Sequence, residues 1–305
     1  MNTTELNLIK VDIVDKVKNK VQELIKNKEL TLPNDYMPHN AMKSAWLKLQ
    51  DTKNKNGKPV LEVCTKNSTA NALLDMVLQG LNPSKNQCYF VAYGNNLTLM
   101  RSYFGTVVAA KNAVPEIHDI SFQVIYEDDD FEYEIRKGKK YVLKHIQAFD
   151  HIDIAKIKGA YCQIYNKEEK LLHCELMNMN QIKQVWQQGK FTDKSNPIDA
   201  KGNIKVGTTH KKFTDQMVLK SVINRACKYL INNSTDKSRV AEAYNRTLEN
   251  EFVEIEPEEK PKRKISLEEP EEEVEQIDTI EELDMEEEVE KVEEIKKTKT
   301  KNKDK

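Results

Sequence analysis

Lys220, Asn224 and Lys228 recur at intervals of four, with Arg225 beside them, so a single helix would present them along one face. His210, Lys211 and Lys212 lie just upstream, and Arg101 and Lys111 add cations earlier in the chain. Side chains of this kind neutralise phosphates, and a binder that does not select bases also needs aromatic or polar groups to meet unstacked rings. Tyr103, Phe104 and Trp186 are the aromatic candidates. Taken singly, each lysine reads as ordinary solvated surface and Phe104 and Trp186 read as core. Tyr103 fits core or a wet edge, because its hydroxyl favours water.

Other chemistry has weaker support. The acidic run Glu127-Asp128-Asp129-Asp130 supplies carboxylates of the type that hold magnesium in a nuclease, but four in succession at a strand entry project in divergent directions. His173-Cys174 has the composition of a ligand pair or a nucleophile and base, yet neighbours on a strand point to opposite faces. No G-x-x-x-x-G-K-[ST] motif occurs, and Gly138-Lys139-Lys140 in a hairpin turn does not replace one, which disfavours ATP-driven strand exchange.

The elements that must position the cations are legible from charge and period. Residues 1–250 hold 37 Lys and Arg against 28 Asp and Glu, a net of +9, whereas residues 251–305 hold 11 against 22, a net of −11. The expected organisation is a basic folded domain over residues 1–240, suited to a polyanion, and an acidic tail over 241–305 that is mostly disordered. The tail has three readings: a solubility segment, a partner-binding segment, or an electrostatic mimic that competes with DNA. Five cysteines without a C-x-x-C pair suggest reduced thiols, with no metal site. No apolar leader and no run of about 18 apolar residues is present, so neither export nor a membrane span is expected.

Within the domain, Leu6, Ile9, Ile13, Val17, Val21 and Leu24 form the stripe of an amphipathic helix over 5–28, packing on its own core or on a neighbouring subunit. Helices are predicted over 40–50 with Trp46, over 68–78 capped by Ser68 or Thr69, over 180–188, and over 214–232 as the last ordered element. The lysine-rich loop 51–59 is solvated surface or a phosphate contact. Strands are predicted at 88–93 and 122–126, with hairpins over 131–146 and 160–177, and 189–207 is a polar loop. The segment after Gly94-Asn95-Asn96 reads as either a return strand or a helix start. The fold class is therefore α+β, an antiparallel sheet flanked by helices.

The ordered series Gly80-Leu81-Asn82-Pro83, Gln87 to Phe90, Tyr93-Gly94, Ser102 to Gly105 and Lys111 resembles the phage RecT family of single-strand annealing recombinases, related to the Red beta group. The resemblance continues through Val124 to Tyr126, Lys158 to Tyr161, Trp186, His210 and Ile223 to Lys228, covering about residues 36–235. It implies a deep basic groove that holds the phosphate backbone of single-stranded DNA and leaves bases open for pairing. Arg101, Lys111, Lys211, Lys212, Lys220, Arg225 and Lys228 are then expected at phosphates, with Tyr103 near the bases. The resemblance further implies a non-enzymatic annealing protein that needs no cofactor and holds the annealed duplex as well as the strand. A ring or helical filament of subunits, a partner exonuclease, a host single-strand binding protein and the host cytoplasm complete the expectation. Two rivals stand beside it: a metal-dependent nuclease at Glu127 to Asp130, and a scaffold that binds nucleic acid without annealing it.

Overall fold

The computed structural model describes residues 3–188, 196–234 and 238–250. The acidic segment from residue 251 onward, expected to be disordered, and the 189–195 part of the polar loop lie outside them.

Helix α1 (Thr3–Lys26) turns Ile13, Val17, Val21 and Leu24 inward, all buried, against α4 (Lys66–Leu78). From Ile13 onward its apolar stripe thus serves the chain's own core. Between them, α2 (Pro38–Asp51) starts at a proline, where the missing N–H costs nothing, and buries Trp46 and Leu49; α3 (Val60–Val63) is one short turn. The cap of α4 is Thr65, whose hydroxyl accepts from the Ser68 amide at 3.2 Å, rather than Ser68 or Thr69. Gly80 closes this segment at φ +68, and a Cβ there would lie 2.4 Å from the Asn112 side chain.

The Gly94-Asn95-Asn96 break resolves into both expected alternatives in turn. Strand β1 (Cys88–Tyr93) pairs antiparallel with β2 (Asn96–Arg101), and α5 (Tyr103–Ala113) follows at once. Ser102 caps α5, accepting from the Gly105 amide at 3.2 Å while its hydroxyl donates to the Asn86 carbonyl at 2.7 Å. Gly105 is required by contact: an added Cβ would sit 1.9 Å from the Gln87 carbonyl oxygen. The Ser102 to Gly105 motif is therefore a helix-to-strand joint.

The central sheet has the antiparallel order β3-β6-β7, from β3 (Asp119–Tyr126), β6 (Ile157–Tyr165) and β7 (Leu171–Asn178). Strands β4 (Asp130–Arg136) and β5 (Lys139–Ile146) form a separate hairpin between β3 and β6 in the sequence. Ala160, Cys162 and Ile164 of β6 face one core with Val218, Val222 and Ala226 of α8 (Thr214–Asn233). Tyr161 alternates with them and points the other way, where Phe131 of the hairpin stacks on it at 5.8 Å. Helix α6 (Met179–Gln187), opened by an Asn178–Gln181 capping box, and the four-residue turn α7 (Thr209–Lys212) lie against α8. The architecture is α+β, with antiparallel strands and flanking helices.

One element departs from expectation. A further helix, α9 (Ser238–Asn250), follows the helix expected to be last and crosses the boundary drawn at residue 241. It is part of the core: Val240, Ala243, Tyr244 and Leu248 are buried, and Arg246 forms a two-pronged ion pair with Asp75 of α4. No helix among the described residues is long and apolar enough to cross a membrane.

Candidate nucleic-acid interface

Helix α8 is buried along Val218, Val222, Ala226 and Cys227, and Asn224 is tied to α5 by the Thr106 hydroxyl, which donates to its Oδ1 at 2.8 Å. With that face fixed, the 3.6-residue period turns Lys220, Arg225 and Lys228 toward the side where α6 and α7 pack. There they border a cavity of about 310 Å³. Its apolar wall is Val185, Trp186, Met217 and Leu248. Trp186 is only 4% exposed and donates its indole N–H to the Ser221 hydroxyl at 2.8 Å, so the core reading of this residue is right, although one edge reaches the cavity.

His210 also lines this cavity and meets the Trp186 ring edge-on at 4.7 Å. Burial, reinforced by the positive charge of Lys220, pushes its pKa down to about 4. His210 is thus neutral near pH 7, and the cationic character of the rim comes from Lys220, Arg225 and Lys228. The Thr208 hydroxyl accepts from the Lys211 amide to start α7, and Lys211 and Lys212 stand exposed on that same turn.

The other side of α8 meets β7. Burial alone would raise the Glu175 carboxyl, but the His173 imidazole 3.7 Å away, the hydrogen bond from Lys140 and the charges of Lys140 and Arg225 hold it at about 2. The Lys140 ammonium lies 2.8 Å and the Arg225 Nε 3.8 Å from Glu175 Oε1. Arg225 thus stands between the cavity and this carboxylate. Beside it the exposed Tyr229 ring stacks on His173, centroids 4.3 Å apart and planes 15° from parallel.

The expected phosphate contacts divide accordingly. Lys220, Arg225 and Lys228 converge, with Lys211 and Lys212 on the adjoining turn. Lys111 and Tyr103 lie apart on α5, half-buried, and Tyr103 packs against Phe104 at 4.1 Å and Phe122 at 6.0 Å. Phe104, taken as core, is 52% exposed. Arg101 requires the largest correction. It is wholly buried, its Nη1 lies 2.7 Å from Gln79 Oε1 and 2.9 Å from the Tyr244 carbonyl, it also reaches Thr247, and its guanidinium sits 3.8 Å over the Tyr244 ring. It pins α9 to β2 and meets no solvent, so it is not a phosphate contact.

The acidic run is likewise spread over separate tasks. Asp128 pairs with Lys156 and Asp130 with Lys144, while Asp129 turns inward to accept from the Tyr126 amide, Gln147 and His145. On β7, Cys174 and His173 face opposite ways, and burial pushes the Cys174 thiol up to about 11. Sequence reasoning missed Lys140, Glu175 and Tyr229; the signal for Tyr229 was an aromatic one turn beyond Arg225.

No curated protein matches the chain. The sequence profile of the RecT family matches residues 39–264, a span that holds the α8 cations, the cavity wall and α9. On that match, which covers most of the sequence, the chain belongs to the RecT family.

Proposed function

We propose that this chain binds single-stranded DNA along the α8 face and anneals complementary strands without nucleotide hydrolysis, in phage homologous recombination. Membership of the RecT family gives a single-strand annealing role in recombination. The observation that supports this site is the convergence of Lys220, Arg225 and Lys228 at one partly apolar cavity on a helix rigidly seated by Asn224 and the β6 core. Cations on a fixed helix can track a phosphate backbone without reading sequence. Base pairing and stacking then drive annealing, so the protein needs only to concentrate strands, hold them extended and leave their pairing edges open. It performs no bond-making step of its own.

In this reading residues 1–240 with the rest of α9 form the annealing and oligomerising body. The subunits act as a ring or helical filament on strands that an exonuclease has exposed, in the host cytoplasm, with a host single-strand binding protein as a further partner. The test mixes two complementary oligonucleotides with the purified protein, without nucleotide, and follows duplex formation against non-complementary and protein-free controls. Acceleration confined to the complementary pair, with the strands intact, is the expected result. Binding without acceleration would make the protein a scaffold, and strand loss on adding magnesium would make it a nuclease.

A further inference from the structure

Tyr229 is an aromatic side chain that the fold holds rigid at the surface. The residue is 54% exposed although one face of its ring is covered by His173, stacked 4.3 Å away and 15° from parallel. His173 is itself held by packing on β7, its side chain 17% exposed, with its Nε2 3.7 Å from the Glu175 carboxylate that Lys140 pairs at 2.8 Å. The stack restrains the ring before any ligand arrives, while more than half of the residue's surface remains exposed. Phe149 and Phe213 are more or similarly exposed, at 93% and 50%, but among the described residues no ring backs either of them. Preorganisation of this kind lowers the cost of binding, because the ordering is already done.

Position matters as much as rigidity. Tyr229 follows Lys228 directly and lies one helical turn beyond Arg225, so a strand whose phosphates meet those two cations would bring its sugars and bases past the ring. Base stacking on an aromatic face is sequence-tolerant, since every base has a π-face, and it leaves the pairing edge unblocked. From this geometry we infer that the Tyr229–His173 stack is a nucleobase-binding subsite, the place where one unstacked base of the single strand rests while its hydrogen-bonding edge stays open. The inference rests on the single-strand binding reading above and names where the bases go, which the cations alone do not.

The experiment measures binding of the full-length protein to a base-bearing oligothymidylate and to an abasic strand of equal length, across a salt series. Wild type is compared with Tyr229→Leu and Tyr229→Phe. Expected are a loss of about tenfold for Tyr229→Leu on the base-bearing strand, little change on the abasic strand, wild-type affinity for Tyr229→Phe, and an unaltered salt slope throughout. A Tyr229→Trp protein should show fluorescence quenched by the base-bearing strand and not by the abasic one, independently of how well the leucine variant folds. Equal affinity of wild type and Tyr229→Leu for the base-bearing strand would overturn the subsite while leaving single-strand binding intact. So would an equal loss on both strands, which would make Tyr229 a support for the α8 surface. Failure of wild type to bind either strand would overturn the underlying reading and the subsite with it.

Discussion

Arg101→Met separates a buried strut from a DNA contact. Methionine keeps the length and apolar stem of arginine while removing the guanidinium. The substitution deletes contacts to Gln79, Thr247 and the Tyr244 carbonyl, together with the cation–π contact at 3.8 Å. An acceptor left buried without a donor costs about 1–3 kcal/mol, and relief from burying a charge offsets part of that total. The expected net loss is about 3 kcal/mol, which for a folded body of this size lowers the melting temperature by about 6–12 °C. Thermal melting followed by circular dichroism measures it. In parallel, the slope of log affinity for single-stranded DNA against log salt should match wild type below the melting range, because no phosphate contact has been lost. A variant that melts with wild type while its slope falls by about 0.7 would refute the argument, since that is the signature of one surface cation removed from a single strand.

Lys228→Ala should weaken single-strand binding to the same extent for every sequence and lower the salt slope by about 0.7, read by fluorescence anisotropy across a salt series. His210 predicts a pH limb in stability. Its folded pKa of about 4 lies below the ordinary 6.5, so protonation favours the unfolded chain, and stability present above about pH 6.5 is lost as pH falls toward 4. His210→Phe keeps an aromatic ring against Trp186 and should flatten that limb in melts taken across this range; an unchanged limb would assign it to other groups. Gly105→Ala forces a Cβ to within 1.9 Å of the Gln87 carbonyl oxygen, and the joint between β1 and α5 must shift at a cost of about 1–3 kcal/mol in urea unfolding. Wild-type stability for that variant would mean the joint is soft.

Elements with a clean period were legible in the sequence. The α1 spacing placed Ile13, Val17, Val21 and Leu24 inward and the α8 period placed Val222, Ile223 and Ala226 inward, because a single local period decides them. The alternation of β4 misled: its hairpin forms a sheet of its own, and Tyr133 and Ile135 on the apolar side are 50% and 63% exposed. Arg101 was misplaced because its surroundings are assembled from Gln79 and from Tyr244 and Thr247, more than a hundred residues further on. A charge read in isolation defaults to the surface. Helix α9 carried its own signal in Val240, Ala243, Tyr244 and Leu248 at spacings of three and four, obscured by the acidic stretch that follows. The site itself was half visible. The cations of α8 share a face by periodicity, but the wall supplied by α6 and α7 and the carboxylate supplied by β7 come from segments whose approach to α8 no local pattern encodes.

That carboxylate makes Arg225 unequal to Lys228. Glu175 stays ionised far below neutral pH and stands 3.8 Å from the Arg225 Nε, whereas Lys228 makes no ion pair among the described residues. At this distance, with half of the arginine side chain exposed, the attraction is on the order of 1 kcal/mol or less, so an arriving phosphate can take Arg225 from Glu175. The exchange differs from the one at Lys228, because the charge displaced belongs in part to the protein and fewer solution counterions are released. Arg225→Ala should therefore lower the salt slope by less than Lys228→Ala does. In a Glu175→Gln background, where the internal partner is neutral and Lys140 loses the same carboxylate, removing Arg225 should cost the full 0.7 or so. Titrations of wild type, the two alanine variants, Glu175→Gln and the Glu175→Gln/Arg225→Ala double variant across one salt series decide it. Equal slope losses for Arg225→Ala and Lys228→Ala in the wild-type background would show that Glu175 does not hold Arg225 in solution, and that a phosphate meets the arginine as it meets any free surface cation.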